Sequence, residues 1–233
     1  GPAVVVQVAL CTAWEALDKR SLDLLGWASR LARAVDPVAR RFVKHPETDG
    51  FVACVFVWTG VVLPAWFFYE LWHARVFGFS WPRVVLYNLV RIGPMYANFM
   101  YVYVLCHKEG HNFGNLFAKP YNKVLRYAFN HWVGMFHGVL PGTFTYSHIY
   151  NHHKYDNDER DVYSTAFRPR DRFGSWVRYL PEWFAYASNV SSVRAFVREG
   201  RTRFALATAL STLGYAAFVA ALLYAHTQFA LCT

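Results

Sequence analysis

Residues 51–69 read FVACVFVWTGVVLPAWFFY and carry no charged side chain over 19 positions. A helix that crosses the hydrocarbon core of a bilayer needs about 20 consecutive apolar residues. This stretch therefore predicts a transmembrane helix, and Pro64 is the position where that helix is expected to bend.

Two further stretches have the same character. Residues 84–106 contain one charge, Arg91, over 23 positions, and residues 204–233 contain none over 30 positions. A charge inside a span is costly, so Arg91 is expected to face protein or to extend towards the headgroups. The sequence predicts an all-α, integral membrane helical bundle with about three transmembrane helices.

The composition excludes several other classes of protein. Of 233 residues, 55% are hydrophobic and only 17% are charged, whereas soluble domains average about 25% charged residues. A disordered chain is excluded, and a plain soluble enzyme is disfavoured. The four cysteines form no C-x-x-C pair, which argues against a disulfide framework or a thiolate zinc site. The net charge is +9, but no basic run accompanies a nucleic-acid-binding motif, so no nucleic-acid partner is expected.

The remaining segments are amphipathic. Residues 1–50 form an N-terminal region with apolar residues at helical spacing among Arg and Lys, which predicts one or two helices on the membrane surface. A soluble helical hairpin is an equal alternative there. Residues 124–150 are expected to form a helix half buried at the interface or against the bundle, and residues 176–190 another interfacial helix. Residues 51–233 are treated as the second unit of the chain.

The basic residues indicate an orientation in the membrane. Seven Lys and Arg precede residue 51, two lie in residues 74–83, and 14 lie in residues 107–203. Under the positive-inside rule, the N-terminus and residues 107–203 are cytoplasmic, and the 74–83 link is on the opposite side.

Two groups of histidines indicate a chemical site. They are H-K-E-G-H at residues 107–111 and H-I-Y-N-H-H at residues 148–153. Residues four apart share one face of an α-helix, so the first and last His of each H-x-x-x-H should point together, with His153 about 100° further round. Imidazole is a ligand for Fe, Zn, Cu and Ni. The candidate metal ligands are His107, His111, His148, His152 and His153.

The five candidates and the other histidines also have alternative roles. Interfacial anchoring or a proton relay is the alternative for the five candidates. His131 and His137 are six residues apart and do not share a helical face, so at most one faces the site. A zinc peptidase needs H-E-x-x-H, and Lys108 stands where that Glu is required. Structural roles are expected for His45, His73 and His226.

Nearby polar residues are candidates for orienting the imidazoles. Metal-bound histidines usually donate their second N–H to a carboxylate or a carbonyl. The carboxylate candidates are Glu109, Asp156, Asp158 and Asp161, and the amides beside the histidines are Asn112 and Asn151. A solvated acidic loop is the alternative interpretation of the carboxylates.

The order of these motifs resembles the membrane fatty acid desaturase and hydroxylase superfamily. A span is followed by H-x-x-x-H, by a spacing of 37 residues, by H-x-x-x-H-H and then by polar residues 154–158 and 161–162. The resemblance covers about residues 50–233. It implies that the five histidines bind two non-haem irons. It also implies that the enzyme uses O₂ and electrons from an external donor such as cytochrome b5 or ferredoxin to break a C–H bond in a lipid acyl chain.

The resemblance leads us to expect a fatty acyl desaturase in the endoplasmic reticulum or a plastid membrane, with its histidines on the cytoplasmic or stromal side. A hydroxylase or ketolase of the same superfamily, or a non-catalytic membrane remnant, is the alternative. A transporter has little support, since the histidines lie at the ends of spans.

Two departures from the superfamily pattern shape the expectations. The second motif is more often H-x-x-H-H in the superfamily, so the extra residue here leaves the substrate subclass open. The third motif, H-x-x-H-H, does not follow His153. The chain is therefore expected to be either incomplete at its C-terminus or a divergent member of the superfamily, and the isolated chain is expected to bind iron poorly and not to turn over.

Overall fold

The computed structural model describes residues 30, 33–44, 49–93, 96–169 and 171–233. Within these ranges the regular structure is helical and contains no β-strand; Val43 and Phe117 form an isolated antiparallel bridge. The amphipathic helices predicted for the N-terminal region lie mostly outside the described residues, although residues 33–39 are helical.

The first apolar stretch forms one long helical rod. It consists of α1 (Asp49–Val57), a π-helical turn (Trp58–Val62) and α2 (Leu63–Phe77). The 28 residues Gly50–Phe77 pass as a single helix long enough to span a membrane. The transmembrane helix predicted from residues 51–69 is confirmed by length and composition.

The π-helical turn ends two residues before Pro64. Proline has no N–H, so the carbonyl of Gly60 lacks its usual helical donor four residues ahead. The indole Nε1 of Trp132 donates to that carbonyl at 2.7 Å. The chain thus passes Pro64 within a continuous helix, with the unpaired carbonyl satisfied from a distant segment.

The second apolar stretch is not one straight helix. It divides into α3 (Trp81–Ile92) and α4 (Ala97–His111), which are bent by 50° relative to each other. The prediction of a single helix over residues 84–106 is wrong, because Gly93 has φ +76° and the next residue in the sequence is Pro94. Together α3 and α4 are long and apolar enough for a broken span or a re-entrant loop.

The segment from residue 122 to residue 155 is built from short pieces. They are α5 (Asn122–Leu125), α6 (Ala128–His131), a 3₁₀-helix (Val133–His137), a π-helix (Thr143–His152) and α7 (His153–Tyr155). The single helix predicted over residues 124–150 is therefore wrong. Gly138 and Gly142 have φ of +73° and +83°, and these left-handed positions break the helical path.

Three helices complete the chain: α8 (Phe173–Ala187), α9 (Val190–Arg198) and α10 (Thr202–Cys232). Helix α8 matches the helix predicted over residues 176–190, while its interfacial position stays a prediction. Helix α10 has 31 residues and is long and apolar enough to span a membrane. The described part of the chain thus holds two such helices, or three with the bent pair, in agreement with the predicted helical bundle.

Arg91 holds the end of α10 against α3. Its Nη1 donates to the carbonyls of Phe136 at 2.9 Å and Thr233 at 2.7 Å, and its Nη2 donates to Asn88 Oδ1 at 2.8 Å. The Asn88 amide donates in turn to the Cys232 carbonyl at 2.8 Å. Arg91 therefore faces protein, and its N–H groups cap carbonyls at the C-terminal end of a helix.

Candidate metal centre

The first histidine pair lies at the C-terminal end of α4. His107 and His111 are one helical turn apart, and their Nε2 atoms are 2.9 Å from each other. This is the juxtaposition that the H-x-x-x-H spacing predicts for an α-helix.

Glu109 holds this end of α4 in place. Its side chain is fully buried and accepts hydrogen bonds from the backbone N–H of Phe129 at 3.2 Å and of Asn130 at 2.7 Å, and from the Asn130 amide at 3.0 Å. Glu109 was expected to orient a metal-bound imidazole. That expectation is wrong, because the hydrogen bonds of its carboxylate go to Phe129 and Asn130 of α6. It is instead an anchor between two helices.

The second histidine pair depends on the π-helix. The backbone N–H of His153 donates to the carbonyl of His148, five residues earlier. Hydrogen bonds of this i→i+5 type define a π-helix and bring residues five apart onto one face. Accordingly, Nε2 of His153 lies 3.0 Å from Nε2 of His148. The prediction that His148 and His152 point together agrees with their stacked rings, whose centroids are 5.2 Å apart, but the ring nitrogen that approaches His148 belongs to His153.

The two pairs meet in one four-histidine group, made of His107, His111, His148 and His153. One ring nitrogen from each lies within 4.8 Å of the others. The ring centroids of His107 and His148 are 4.5 Å apart, as are those of His111 and His153.

The separation within each pair fits two ligands of one metal ion. Two nitrogens that each lie about 2.1 Å from one ion are about 3.0 Å apart at a right angle and about 3.4 Å apart in a tetrahedron. The 2.9 and 3.0 Å separations within the two pairs agree with the first value. Imidazole nitrogens are also the right donor type for iron or zinc, so the group could hold a metal ion.

The protonation state of His148 favours the same use. Only 8% of its surface is exposed. Burial, together with the neighbouring imidazoles, lowers the pKa of His148 to about 3. The ring is therefore neutral at physiological pH and retains a lone pair for a metal.

His152 stands beside the four-histidine group without belonging to it. Its ring stacks on that of His148 with centroids 5.2 Å apart. Its Nδ1 lies 2.7 Å from Oδ2 of Asp161, whose side chain is fully buried and also accepts from the backbone N–H of Asn157 and Tyr163. This carboxylate favours the tautomer with the proton on Nδ1 and leaves Nε2 free to bind a ligand.

The other polar candidates are placed as follows. The Asn151 Oδ1 accepts from the backbone N–H of Val162 at 3.0 Å and so ties the following loop to the π-helix. Asp158 pairs with Arg160. Asn112 and Asp156 are exposed. Of the candidate carboxylates, Asp161 is the one that forms a hydrogen bond with a histidine among the described residues.

His131 and His137 do not join the four-histidine group. The ring of His131 packs on Tyr127 with centroids 5.9 Å apart. His137 is buried, and its Nδ1 lies 3.2 Å from the carbonyl of Val133.

Sequence reasoning missed two residues that shape the site. Phe144 packs on both His107 and His148, with centroids 5.6 and 5.5 Å away. Gly110 faces the Phe144 backbone so closely that a Cβ would lie 2.5 Å from the Phe144 carbonyl oxygen. The detectable signal for Gly110 was a glycine inside a helical motif, where it costs about 1 kcal/mol relative to alanine and therefore needs a packing reason.

A bundle of apolar helices that brings four imidazoles together at helix ends defines a membrane protein with a candidate non-haem metal centre. Residues 79–232 match the family model described as fatty acid desaturase. The match covers most of the chain, and the protein belongs to the fatty acid desaturase family. No curated protein and no solved structure gives a significant match. Membership implies oxidoreductase activity of the desaturase or hydroxylase type, in a family that generally depends on two irons.

Proposed function

We propose that the protein is an oxygen-dependent, di-iron fatty acyl desaturase. The observation that supports this best is the meeting of His107 and His111 with His148 and His153 from segments 37 residues apart in the sequence. Such a convergence is what a metal centre requires of its protein, and the family supplies the chemistry that goes with it.

The ligands proposed for iron are the four-histidine group and, through its free Nε2, His152. Iron bound there would supply the activation of O₂ and the oxidation of an unactivated C–H bond. The protein contributes position and environment. Asp161 holds the proton of His152 on Nδ1, and the Phe144 ring packs against two of the imidazoles.

The proposed substrate is the acyl chain of a membrane lipid, and the electrons come from an external carrier such as cytochrome b5 or ferredoxin. The excess of Lys and Arg in residues 107–203 supports a cytoplasmic or stromal position for the histidines. We propose that the protein is a multi-pass membrane protein of the endoplasmic reticulum or of a plastid.

A hydroxylase of the same family is the second candidate. The observation in its favour is the extra residue in H-x-x-x-H-H, which the π-helix accommodates by pairing His148 with His153. Changed ligand spacing can alter how the metal is held relative to the acyl chain, and therefore which outcome follows C–H cleavage.

The test is product analysis with the protein as its native gene encodes it, in membranes supplied with a reductant. A desaturase yields acyl chains that have lost two hydrogens, whereas a hydroxylase yields chains that have gained one oxygen. We expect desaturated product, O₂ uptake, iron near two per chain, and loss of product in His148→Ala. The matched control is His73→Ala, since the His73 ring packs on Tyr69 and Phe77 outside the group. Zinc or no metal, with an unchanged lipid profile, would establish the non-catalytic remnant instead.

A further inference from the structure

A cavity of about 1260 Å³ opens next to the His152–Asp161 pair. It lies between residues 155–169 and the facing sides of α8 and α9, and Asp161 forms part of its wall. The cavity is therefore one hydrogen bond away from a histidine that we propose as an iron ligand.

Part of the charge in this cavity is already neutralised by ion pairs. Arg160 pairs with Asp158 at 2.5 Å, and Arg168 pairs with Glu182. Glu199 is 3.0 Å from Lys154 and is thereby also compensated.

Four other arginines in the wall have no ion-pair partner among the described residues, namely Arg172, Arg178, Arg194 and Arg198. On the acidic side, Glu159 is the one wall carboxylate for which the described contacts show neither an ion pair nor a hydrogen bond. The wall holds six arginines and five carboxylates, a formal charge of +1, with four of the arginines outside the ion pairs, and we call this space the arginine cavity.

The arginines reach the cavity from the facing sides of two helices. Arg178 lies one turn beyond Gly174 on α8, and Arg198 lies one turn beyond Arg194 on α9, with all four residues in the cavity wall. Residues four apart share a helical face, so α9 presents two arginines to this concave space and α8 presents Arg178 together with Glu182.

The opposite face of α8 is apolar and open. Phe173, Trp176 and Phe184 are 78%, 55% and 62% exposed. Aromatic side chains on an amphipathic helix with Arg on its other face are typical of helices that lie at the membrane surface. At that depth the arginine cavity would open at the level of the lipid headgroups.

We propose that the arginine cavity binds the phosphate of an anionic headgroup, and that this headgroup belongs to the lipid substrate of the neighbouring metal centre. The guanidinium group binds phosphate oxygens through two parallel hydrogen bonds, and several such groups around one space suit a multi-oxygen anion better than a single carboxylate. A concave space of this volume fits a small ligand rather than the flat face of a protein. The assignment to the substrate rests on the proposed function, whereas phosphate binding itself does not.

The test is calorimetric titration of the membrane protein in neutral-lipid nanodiscs. One arm uses a water-soluble short-chain phosphatidate, which represents a membrane lipid, and the other uses inorganic diphosphate, which represents a soluble phosphate carrier. The test variant is Arg178→Gln with Arg194→Gln. The matched control is Lys119→Gln with Lys123→Gln, which removes the same charge from exposed residues outside the cavity.

We expect the arginine variant to bind phosphatidate at least about tenfold more weakly, because it loses charge-assisted hydrogen bonds, while the control binds as the unchanged protein does. The Arg178→Lys with Arg194→Lys variant should recover part of the binding, since it keeps the charge and loses the fork. Metal content is measured in parallel, so that failure of the metal centre and failure of the cavity are separate results.

Binding of phosphatidate but not of diphosphate supports the membrane-lipid source. Equal binding of both, with the same dependence on the arginines, supports the phosphate site but overturns the lipid source. Binding that neither arginine variant changes, or no binding in either arm, overturns the proposal. Capture of an acidic protein partner in place of both phosphate probes would do so as well.

Discussion

The Gly110→Ala substitution tests whether close packing of α4 on the π-helix holds the metal centre together. In the structure, a Cβ at position 110 would lie 2.5 Å from the Phe144 carbonyl oxygen and 3.0 Å from its carbonyl carbon. An ordinary contact starts at 3.4 Å, so the two backbones must separate by about 0.9 Å. Both atoms are backbone, and no side-chain rotation can relieve the contact.

Moving α4 away from the π-helix changes the distance between the two histidine pairs but not the distances within each pair. His107 and His111 move together on α4, and His148 and His153 move together on the π-helix, so each pair stays intact while the gap between the pairs widens. A metal centre tolerates misplacements of about 0.5 Å. We therefore expect metal affinity to fall by about 10- to 100-fold, in the range of losses seen when residues that support metal ligands are changed.

The stability change should be smaller than the loss of metal. Overpacking costs about 1–3 kcal/mol, and alanine returns about 1 kcal/mol as a better helix former than glycine. The expected net loss is about 0–2 kcal/mol. The measurements are Co²⁺ titration of the protein in nanodiscs and thermal unfolding without metal.

Gly214→Ala is the matched control for this substitution. Gly214 lies inside α10, and nothing is within 4 Å of an added Cβ. It should gain helix propensity, keep its metal affinity and unfold at an equal or higher temperature. If Gly110→Ala binds metal as tightly as the control does, the packing argument is refuted.

Three further perturbations have defined outcomes. Asp161→Asn should weaken metal binding by about 10- to 100-fold in a metal titration, because His152 loses the carboxylate that orients it; unchanged affinity would remove His152 from the ligands. Trp132→Phe should cost about 1–3 kcal/mol in thermal unfolding, since it leaves the buried carbonyl of Gly60 without a donor; an unshifted midpoint would contradict this. Burial lowers the pKa of His137 to about 4, so its contribution is complete above the unfolded pKa of about 6.5 and is lost as the pH falls towards 4. Unfolding at pH 5 should be easier than at pH 7.5 by about 2 kcal/mol, and His137→Leu should lack that part of the pH dependence.

The sequence correctly predicted the helices that are marked by a long run of apolar side chains. The apolar stretches 51–69 and 204–233 correspond to helices because a bilayer span needs length and apolarity and little else. The stretch 84–106 met the same criterion, yet the backbone turns at Gly93. A single left-handed glycine before a proline outweighs the hydrophobic pattern there.

The sequence predicted which histidines form the candidate site better than it predicted how they are arranged. The histidines that gather in the structure were all named from the sequence. The pairing of His107 with His111 was predicted, but that of His148 with His153 was not, because the spacing was read on an α-helical scale. The hydrogen bond from His153 to His148 sets the true scale. The role of Glu109 was missed for a related reason: its partners lie at residues 129 and 130, and nothing in a single sequence marks contacts that far along the chain.

The π-helix between Thr143 and His152 affects how related enzymes can be recognised from their sequences. The contact between the rings of His148 and His153 can be kept while the number of residues between them changes, provided that the helical turn widens or narrows by one residue. Deleting Ile149 would leave H-x-x-H-H, with His148 and His153 four residues apart, so an ordinary α-helical turn would pair the same two rings. Motif searches that require H-x-x-H-H will therefore miss chains with the spacing seen here. Searches that also allow H-x-x-x-H-H will find them.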